Sequence, residues 1–337
     1  MKIYTQLSDF KKLANAVVTI GTFDGVHFGH QKIIKRLCEL AKSAGGETVL
    51  LTFFPHPRMI IDPENQDLKM INTVDEKAQI LASLGVDHLI ITPFTRDFSN
   101  LSAEEYIKNI LVDAIGTKKI IIGYDHRFGK DRLGSIRTLA ENSSVYGYEV
   151  EEIPEQDIND VAVSSTKIRK ALLNGDVALA NEYLGYAFSI YGPVIKGDKI
   201  GRTIGFPTAN IFVAETYKLI PGDGIYAVTV EMDLEIESQK SKVESENTEV
   251  NGTHSPFNSK PSTFRGMAYI GQRPTINGMT RNIEVNIFDF DREIYGQNIK
   301  MNFLAFLRHD VKFTGLEALK LQLQQDKEDT LAFFEGQ

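Results

Sequence analysis

The 337-residue chain has a single cysteine, Cys38, so it closes no internal disulfide. That thiol lies inside a helical pattern and reads as a small buried or half-buried residue. Long apolar runs are missing as well. No stretch approaches the roughly 20 residues of a membrane span, and the opening MKIYTQLSDFKKL lacks the apolar core of a secretory signal. Basic charge is in deficit: 37 Lys and Arg stand against 45 Asp and Glu, a net charge of −8. A broad nucleic-acid-binding face is therefore not expected, although a local basic pocket is allowed. Internal repeats are not found. These absences predict a soluble cytoplasmic protein with neither membrane nor nucleic-acid partner, and leave a weak homo-oligomer open.

An apolar fraction of 42% is ample for globular cores, and the length suggests two domains. From residue 16 to about 155, short apolar runs alternate with helical stretches. The runs are Ala16–Gly21, Thr48–Phe54, His88–Thr92, Lys119–Gly123 and Tyr148–Ile153. Their near-continuous Val, Ile and Leu content fits a parallel sheet buried on both faces. Thr73 with Glu76, and Ser102 with Glu105, read as capping boxes that start helices. The alternation predicts a doubly wound α/β domain, whose ligands bind beyond the carboxyl ends of the strands. Residues 164–185 read as two short helices broken at Asn174-Gly175-Asp176. The pattern then changes. Phe188–Val194, Ile225–Glu231, Gly266–Ile270, Ile283–Phe288 and Ile299–Phe306 are predicted strands separated by Gly, Pro and Asn turns, which argues for an antiparallel sheet or small closed barrel. One terminal helix follows, with Thr314 and Glu317 as a third capping box and Leu316, Leu319 and Leu323 as its apolar stripe. The domains are thus expected at 1–186 and 187–337. Residues 235–263, rich in Glu, Lys, Ser and Asn, read as a flexible polar insertion.

The chemistry centres on Gly21 to Ile34, reading GTFDGVHFGHQKII. A strand that turns through glycines into a helix aims its first amides at whatever lies above the turn, and the helix dipole favours an anion there. His27 and His30 share one face of that helix mouth. They are read as donors to phosphate oxygens, with Gly25 and Gly29 allowing close backbone approach. A metal pair is the less supported reading, because i,i+3 spacing without further ligands says little for zinc. In Ser164-Ser165-Thr166-Lys167-Ile168-Arg169, hydroxyls cap a helix and a guanidinium follows one turn later, a set that suits further phosphates.

In the second half, Gly201-Arg202-Thr203-Ile204-Gly205-Phe206-Pro207-Thr208-Ala209-Asn210 is a punctuated loop ending in two oxygen donors of the kind Mg²⁺ accepts beside phosphates. A plain turn uses similar residues. Glu284 alternates with Ile283 and Val285. It therefore lies on the opposite strand face, either as a solvated carboxylate or as a general base.

The string His27-Phe28-Gly29-His30 after Gly21-Thr22-Phe23-Asp24-Gly25 resembles the HxGH nucleotidyltransferase motif in the form found in bacterial FAD synthetases. Phe53-Phe54-Pro55-His56-Pro57, the stretch Gly123 to Gly129 and Ser164 to Arg169 match its further motifs in order. His126 departs from a position that is often aromatic there. In the second half the PTAN string, Pro221 to Tyr226, Ile270 to Thr275 and Ile283 to Asp291 resemble the riboflavin kinase domain. Ile200 stands where that family often has a basic residue. Together they resemble the bifunctional bacterial riboflavin kinase/FMN adenylyltransferase family.

The resemblance implies a nucleotidyltransferase domain followed by a Greek-key β-barrel, and the use of riboflavin, FMN, ATP and Mg²⁺ to make FAD. It implies ATP contacts from Gly21, Asp24, His27, Gly29, His30, Ser165, Thr166 and Arg169, and flavin contacts from Phe53, Asp125, Arg127 and Phe128. In the barrel it implies ATP contacts from Gly205, Thr208 and Asn210, with Thr208 and Asn210 on Mg²⁺ and Glu284 as base. The rival reading is an adenylyltransferase for another phosphorylated cofactor precursor, with a non-catalytic barrel.

Overall fold

The computed structural model describes residues 1–62, 64, 68–154, 163–197, 200–233, 261–275 and 278–336. Of the polar segment expected at 235–263, residues 235–260 lie outside the described residues. The chain divides into two compact units, with the division after Ser165.

The first unit is built on a six-stranded sheet. Its strands are β1 (Lys2–Tyr4), β2 (Ala16–Ile20), β3 (Glu47–Phe54), β4 (His88–Pro93), β5 (Thr117–Gly123) and β6 (Glu149–Ile153). Every pairing is parallel, in the order β1-β4-β3-β2-β5-β6. The edge strand β1 lies outside the predicted runs, because three residues at an edge carry too little pattern to read. The chain steps outward from β2 to β3 and β4, then returns to the other side of β2 for β5. That reversal makes β2 and β5 neighbours at the switch point where such sheets bind ligands. Alternate residues serve opposite faces. Val18, Ile20, Val49 and Leu51 enter one core with Ile107 and Leu111; Leu50 and Leu89 enter another with Ile34 and Leu81. This two-sided burial is why the strands read as unbroken apolar runs.

The helix Phe28–Ala44 leads from β2 to β3 and buries Ile33, Ile34, Leu37 and Ala41. It ends at Gly45, whose φ of 59° suits a residue without Cβ. The helix Val74–Ser83 opens on the expected capping box. Thr73 accepts from the Glu76 amide at 3.1 Å, and the Glu76 carboxylate accepts from the Thr73 amide at 2.9 Å. The Ser102–Glu105 box forms likewise.

The second unit is a closed antiparallel barrel of β7 (Ser189–Ile195), β8 (Ala209–Ile211), β9 (Gly224–Met232), β10 (Ser262–Thr275), β11 (Gly278–Ile287) and β12 (Asn298–Arg308). The order is β10-β11-β8-β7-β12-β9, with β9 pairing back to β10. Two helices precede it, Ser165–Leu173 and Val177–Leu184, broken where expected. The second lies on β12: Asn181 Nδ2 donates to the Phe303 carbonyl at 2.8 Å, and Asn181 Oδ1 accepts from the Phe188 amide at 2.7 Å.

Two expectations are corrected here. Ser262 and Thr263, assigned to the polar insertion, pair with Met232 and Glu231 as the first rungs of β10. The Thr314–Glu317 capping box does not form: the helix Leu316–Glu335 follows Gly315, which makes no side-chain cap, and Leu316 is 57% exposed. The helix is seated instead by Leu323 and Leu331 against Phe206, Met267 and Phe288. A two-pronged pair adds to this, with Arg308 Nε and Nη2 donating to the two oxygens of buried Asp326 at 2.6 and 2.7 Å.

Candidate active sites

In the first unit, the turn after β2 carries positive φ at Phe23 (46°), Gly25 (82°) and Val26 (34°). Side chains from outside the turn hold this backbone. Ser165 Oγ donates to the Asp24 carbonyl at 2.9 Å, Thr52 Oγ1 to the Thr22 carbonyl at 3.2 Å, and Lys77 Nζ to the same Thr22 carbonyl at 2.7 Å. Asp24 turns inward and is 1% exposed; its carboxylate accepts from the Ile71 amide at 3.0 Å and the Asn72 amide at 3.5 Å. Its carboxylate thus shapes the turn.

His27 occupies the position before the helix Phe28–Ala44 without capping it. The His27 and His30 rings stack 3.7 Å apart at 18°, with Phe23 against His30 at 5.0 Å. Burial lowers the His27 pKa to about 4. His30 is held well below its usual value by burial, then by His27 and Lys77. At neutral pH both rings are therefore uncharged, each with one N–H and one bare nitrogen. The Nδ1 atoms of both are buried and have no hydrogen-bond partner among the described residues. A buried polar atom without a partner is costly, which suits a site whose partner is a ligand.

Gly21, Asp24, His27, Gly29, His30 and Ser165 thus come together in the first unit. Thr166 and Arg169 follow in the second unit, the first exposed and the second half-buried. Of the residues matched to flavin, Phe53 joins an aromatic cluster at the end of β3, 5.6 Å from Phe94 and 5.5 Å from Phe98. Asp125 and Arg127 are exposed on the turn after β5, beside the switch point. Phe128 is 6% exposed and packs in the core 5.3 Å from Tyr106. His126 stacks 6.0 Å from Phe128, with its pKa lowered to about 4 by burial and then by Arg132.

In the barrel, the segment predicted as a loop opens with a short helix, Ile200–Thr203, and turns at Gly205 with φ 86°. The Phe206 amide returns to the Gly201 carbonyl at 2.8 Å. The chain then enters β8, where Asn210 sits opposite Glu284 in register. β8 carries no readable period, because it has three residues and the first two are the end of the PTAN string. Ile283 and Val285 are buried, and Glu284 lies on the other strand face, half-buried. Thr208 Oγ1 donates to Glu284 Oε2 at 2.8 Å, and Asn282 Nδ2 to Glu284 Oε1 at 2.5 Å. Both carboxylate oxygens are held.

Asn282 and Lys77 are the residues that sequence reading missed. Asn282 shares the face of Glu284 by the period of two, a signal that was there to use. Lys77 follows a capping box in a surface-type helix, where a lysine reads as solvated. Its burial, 5% exposed, comes from tertiary packing.

Residues 9–167 match the FAD synthetase family and residues 184–334 the riboflavin kinase family. A bifunctional riboflavin kinase/FMN adenylyltransferase of Listeria monocytogenes is 39% identical over 321 residues, 95% of this chain and 93% of that protein. The chain belongs to the bifunctional riboflavin kinase/FMN adenylyltransferase family. Similar members come from Haemophilus influenzae, 35% identical over 96% of this chain and 95% of that protein, and Bacillus subtilis, 33% identical over 95% and 93%. A crystal structure of a protein named as a macrolide-efflux protein, from Streptococcus pneumoniae, matches with a TM-score of 0.81 at 30% identity over 98% of both chains. Among the described residues here, no helix is long and apolar enough to cross a membrane. The non-catalytic barrel of the rival reading is set aside, since the barrel residues themselves match the riboflavin kinase family.

Proposed function

We propose that the two sites divide the chemistry of this bifunctional family as follows. The barrel phosphorylates riboflavin to FMN, and the first domain adenylylates FMN to FAD. The domain limit is placed near residue 186, after the Ser164–Arg169 motif and its helices.

For the adenylyl transfer, the carrying observation is the stacked, uncharged His27–His30 pair with both Nδ1 atoms unpartnered. A phosphate oxygen of FMN attacks the α-phosphorus of ATP in line; the bond to the bridging oxygen breaks and pyrophosphate leaves. His27 and His30 donate to the α-phosphate as charge develops there. Gly25 and Gly29 permit close backbone approach, Gly21 contacts ATP, the Asp24 carboxylate fixes the turn, and Ser165, Thr166 and Arg169 serve the outer phosphates. Phe53, Asp125, Arg127 and Phe128 form the flavin side.

For the kinase step, Glu284 accepts the proton of the riboflavin 5′-hydroxyl as its oxygen attacks the γ-phosphorus of ATP, and ADP leaves. Gly205 gives the ATP loop its left-handed turn. A Thr hydroxyl and an Asn amide oxygen beside a carboxylate are hard donors that suit Mg²⁺. The site is shaped for Asn210: a Cβ on Gly197 would lie 2.4 Å from Asn210 Nδ2. Thr208 and Asn210 would hold the ion, which supplies charge neutralisation for the phosphates. The protein is read as cytoplasmic, acting on small molecules without nucleic-acid or membrane partners.

The test is to incubate the purified chain with riboflavin, ATP and Mg²⁺ and resolve the flavins by chromatography. FMN and FAD both form; absence of any phosphorylated flavin overturns the reading. His30→Ala should accumulate FMN, and FAD formation at the normal rate in that variant would remove the histidines from the mechanism.

A further inference from the structure

Lys77 is a buried cation that the chemistry above does not use. It sits on the inner face of the helix Val74–Ser83 with Ala78 and Leu81, 5% exposed. Burying an ammonium is expensive unless it is paired. Its Nζ donates to the Thr22 carbonyl at 2.7 Å, on the turn that carries the histidines. Two titratable groups face it. Asp24, from the same turn, acts on it as an opposite charge, and His30, from the helix Phe28–Ala44, feels it as a like charge. His27 is next in line, stacked on His30. A methionine would fill this position with less loss of hydration, so the charge calls for a role.

We propose that Lys77 is a positioning residue of the adenylyl-transfer site: its ammonium clamps the Thr22–Asp24 turn and so fixes where His27 and His30 present their ring nitrogens to the α-phosphate. The proposal rests on the reading of His27 and His30 as phosphate ligands. Two arrangements support it. Lys77 and Thr52 converge on the one carbonyl of Thr22 from the helix and from β3, so the turn is gripped on both sides. Asp24, whose carboxylate accepts from the Ile71 and Asn72 amides just ahead of that helix, also acts on the ammonium as an opposite charge. Histidines, turn and lysine are therefore one polar unit in an otherwise apolar setting. Burial lowers the Lys77 pKa to about 8, offset in part by Asp24, so the group is charged at neutral pH.

The experiment uses the full chain with Lys77→Met and Lys77→Gln, the latter keeping a donor for Thr22 without the charge. Three readouts are taken: the His30 imidazole titration by NMR, assigned against His30→Asn; kcat and KM for ATP in FMN-to-FAD conversion; and riboflavin phosphorylation as an internal control of folding. Both variants should lower kcat for FAD formation by about 10-fold or more with KM for ATP changed much less. The His30 titration should move upward, and riboflavin phosphorylation should stay at the wild-type rate. Lys77→Arg, which keeps the charge, should recover part of the lost kcat. FAD formation at wild-type kcat in Lys77→Gln overturns the proposal. So does its loss with the His30 titration unmoved, since that is a structural role alone. If His30→Ala also makes FAD normally, the failure lies with the histidine reading itself.

Discussion

Thr208 donates a 2.8 Å hydrogen bond to the Glu284 carboxylate across 76 positions of chain. The bond joins the residue just before β8 to β11, strands that are neighbours in the barrel. It orients a carboxylate that is only half-buried, and Asn282 holds the other oxygen. A base fixed at both oxygens presents its remaining lone pairs in a defined direction.

Glu284→Gln keeps acceptor and shape but cannot take a proton. Riboflavin phosphorylation should fall by about 100-fold or more, the usual scale of general-base loss. FMN-to-FAD conversion should continue. Thr208→Ala and Asn282→Ala each remove one charge-assisted bond, and each should cost FMN formation about 10-fold. Chromatography of flavin products from riboflavin, and separately from FMN, reads all three.

The histidine pair ties stability to pH. An unfolded histidine titrates at 6.5 and folded His27 at about 4. Between those values the unfolded chain binds more protons than the folded one, so stability rises with pH across the window. It is lost as pH falls from 6.5 towards 4, by about 3 kcal/mol for His27 alone. His30 acts in the same direction. Urea unfolding followed by circular dichroism at pH 7 and 4.5 should show the loss, and His27→Asn should flatten it.

Asp24→Ala strands the amides of Ile71 and Asn72 and leaves Lys77 without its facing carboxylate. The first unit should lose at least about 3 kcal/mol, the scale for breaking a buried pair. Asp24→Asn keeps an acceptor oxygen and should lose less. Thermal unfolding of both variants, with riboflavin phosphorylation as the control, checks the order.

Arg308→Ala leaves the carboxylate of Asp326, 1% exposed, without its guanidinium. Loss of one partner of such a pair costs about 3–5 kcal/mol. Replacing both residues together, Arg308→Met with Asp326→Leu, should cost less than Arg308→Ala alone. Calorimetry of the single and double variants decides this.

Much of this protein is legible in one dimension. The runs at 16–21, 48–54, 88–92 and 119–123 announce a parallel sheet because strands buried on both faces carry apolar residues at nearly every position; the run at 148–153, with three glutamates, is legible only by its place in the alternation. The loss of helical periodicity after Leu184 announces the barrel. The turn at Gly21–His30 and the PTAN string were readable because close backbone approach to phosphate demands glycine, and because oxygen donors cluster where a metal-bound nucleotide sits. Order and spacing of these strings sufficed for the family.

Tertiary structure decided what local pattern cannot carry. The strands β1 and β8 exist because a neighbour offers unpaired backbone; three residues hold no period of their own. The last helix is seated by Arg308 and Asp326 rather than by a cap, since an ion pair formed across 18 positions leaves no local trace. The neutral state of the histidines follows chiefly from burial, with His27 and then Lys77 adding to it at His30, and these depend on which helix packs over the turn. A lysine reads the same in sequence whether it faces water or an aspartate. Only packing decides between the two, because the energy of a charge is set by what surrounds it.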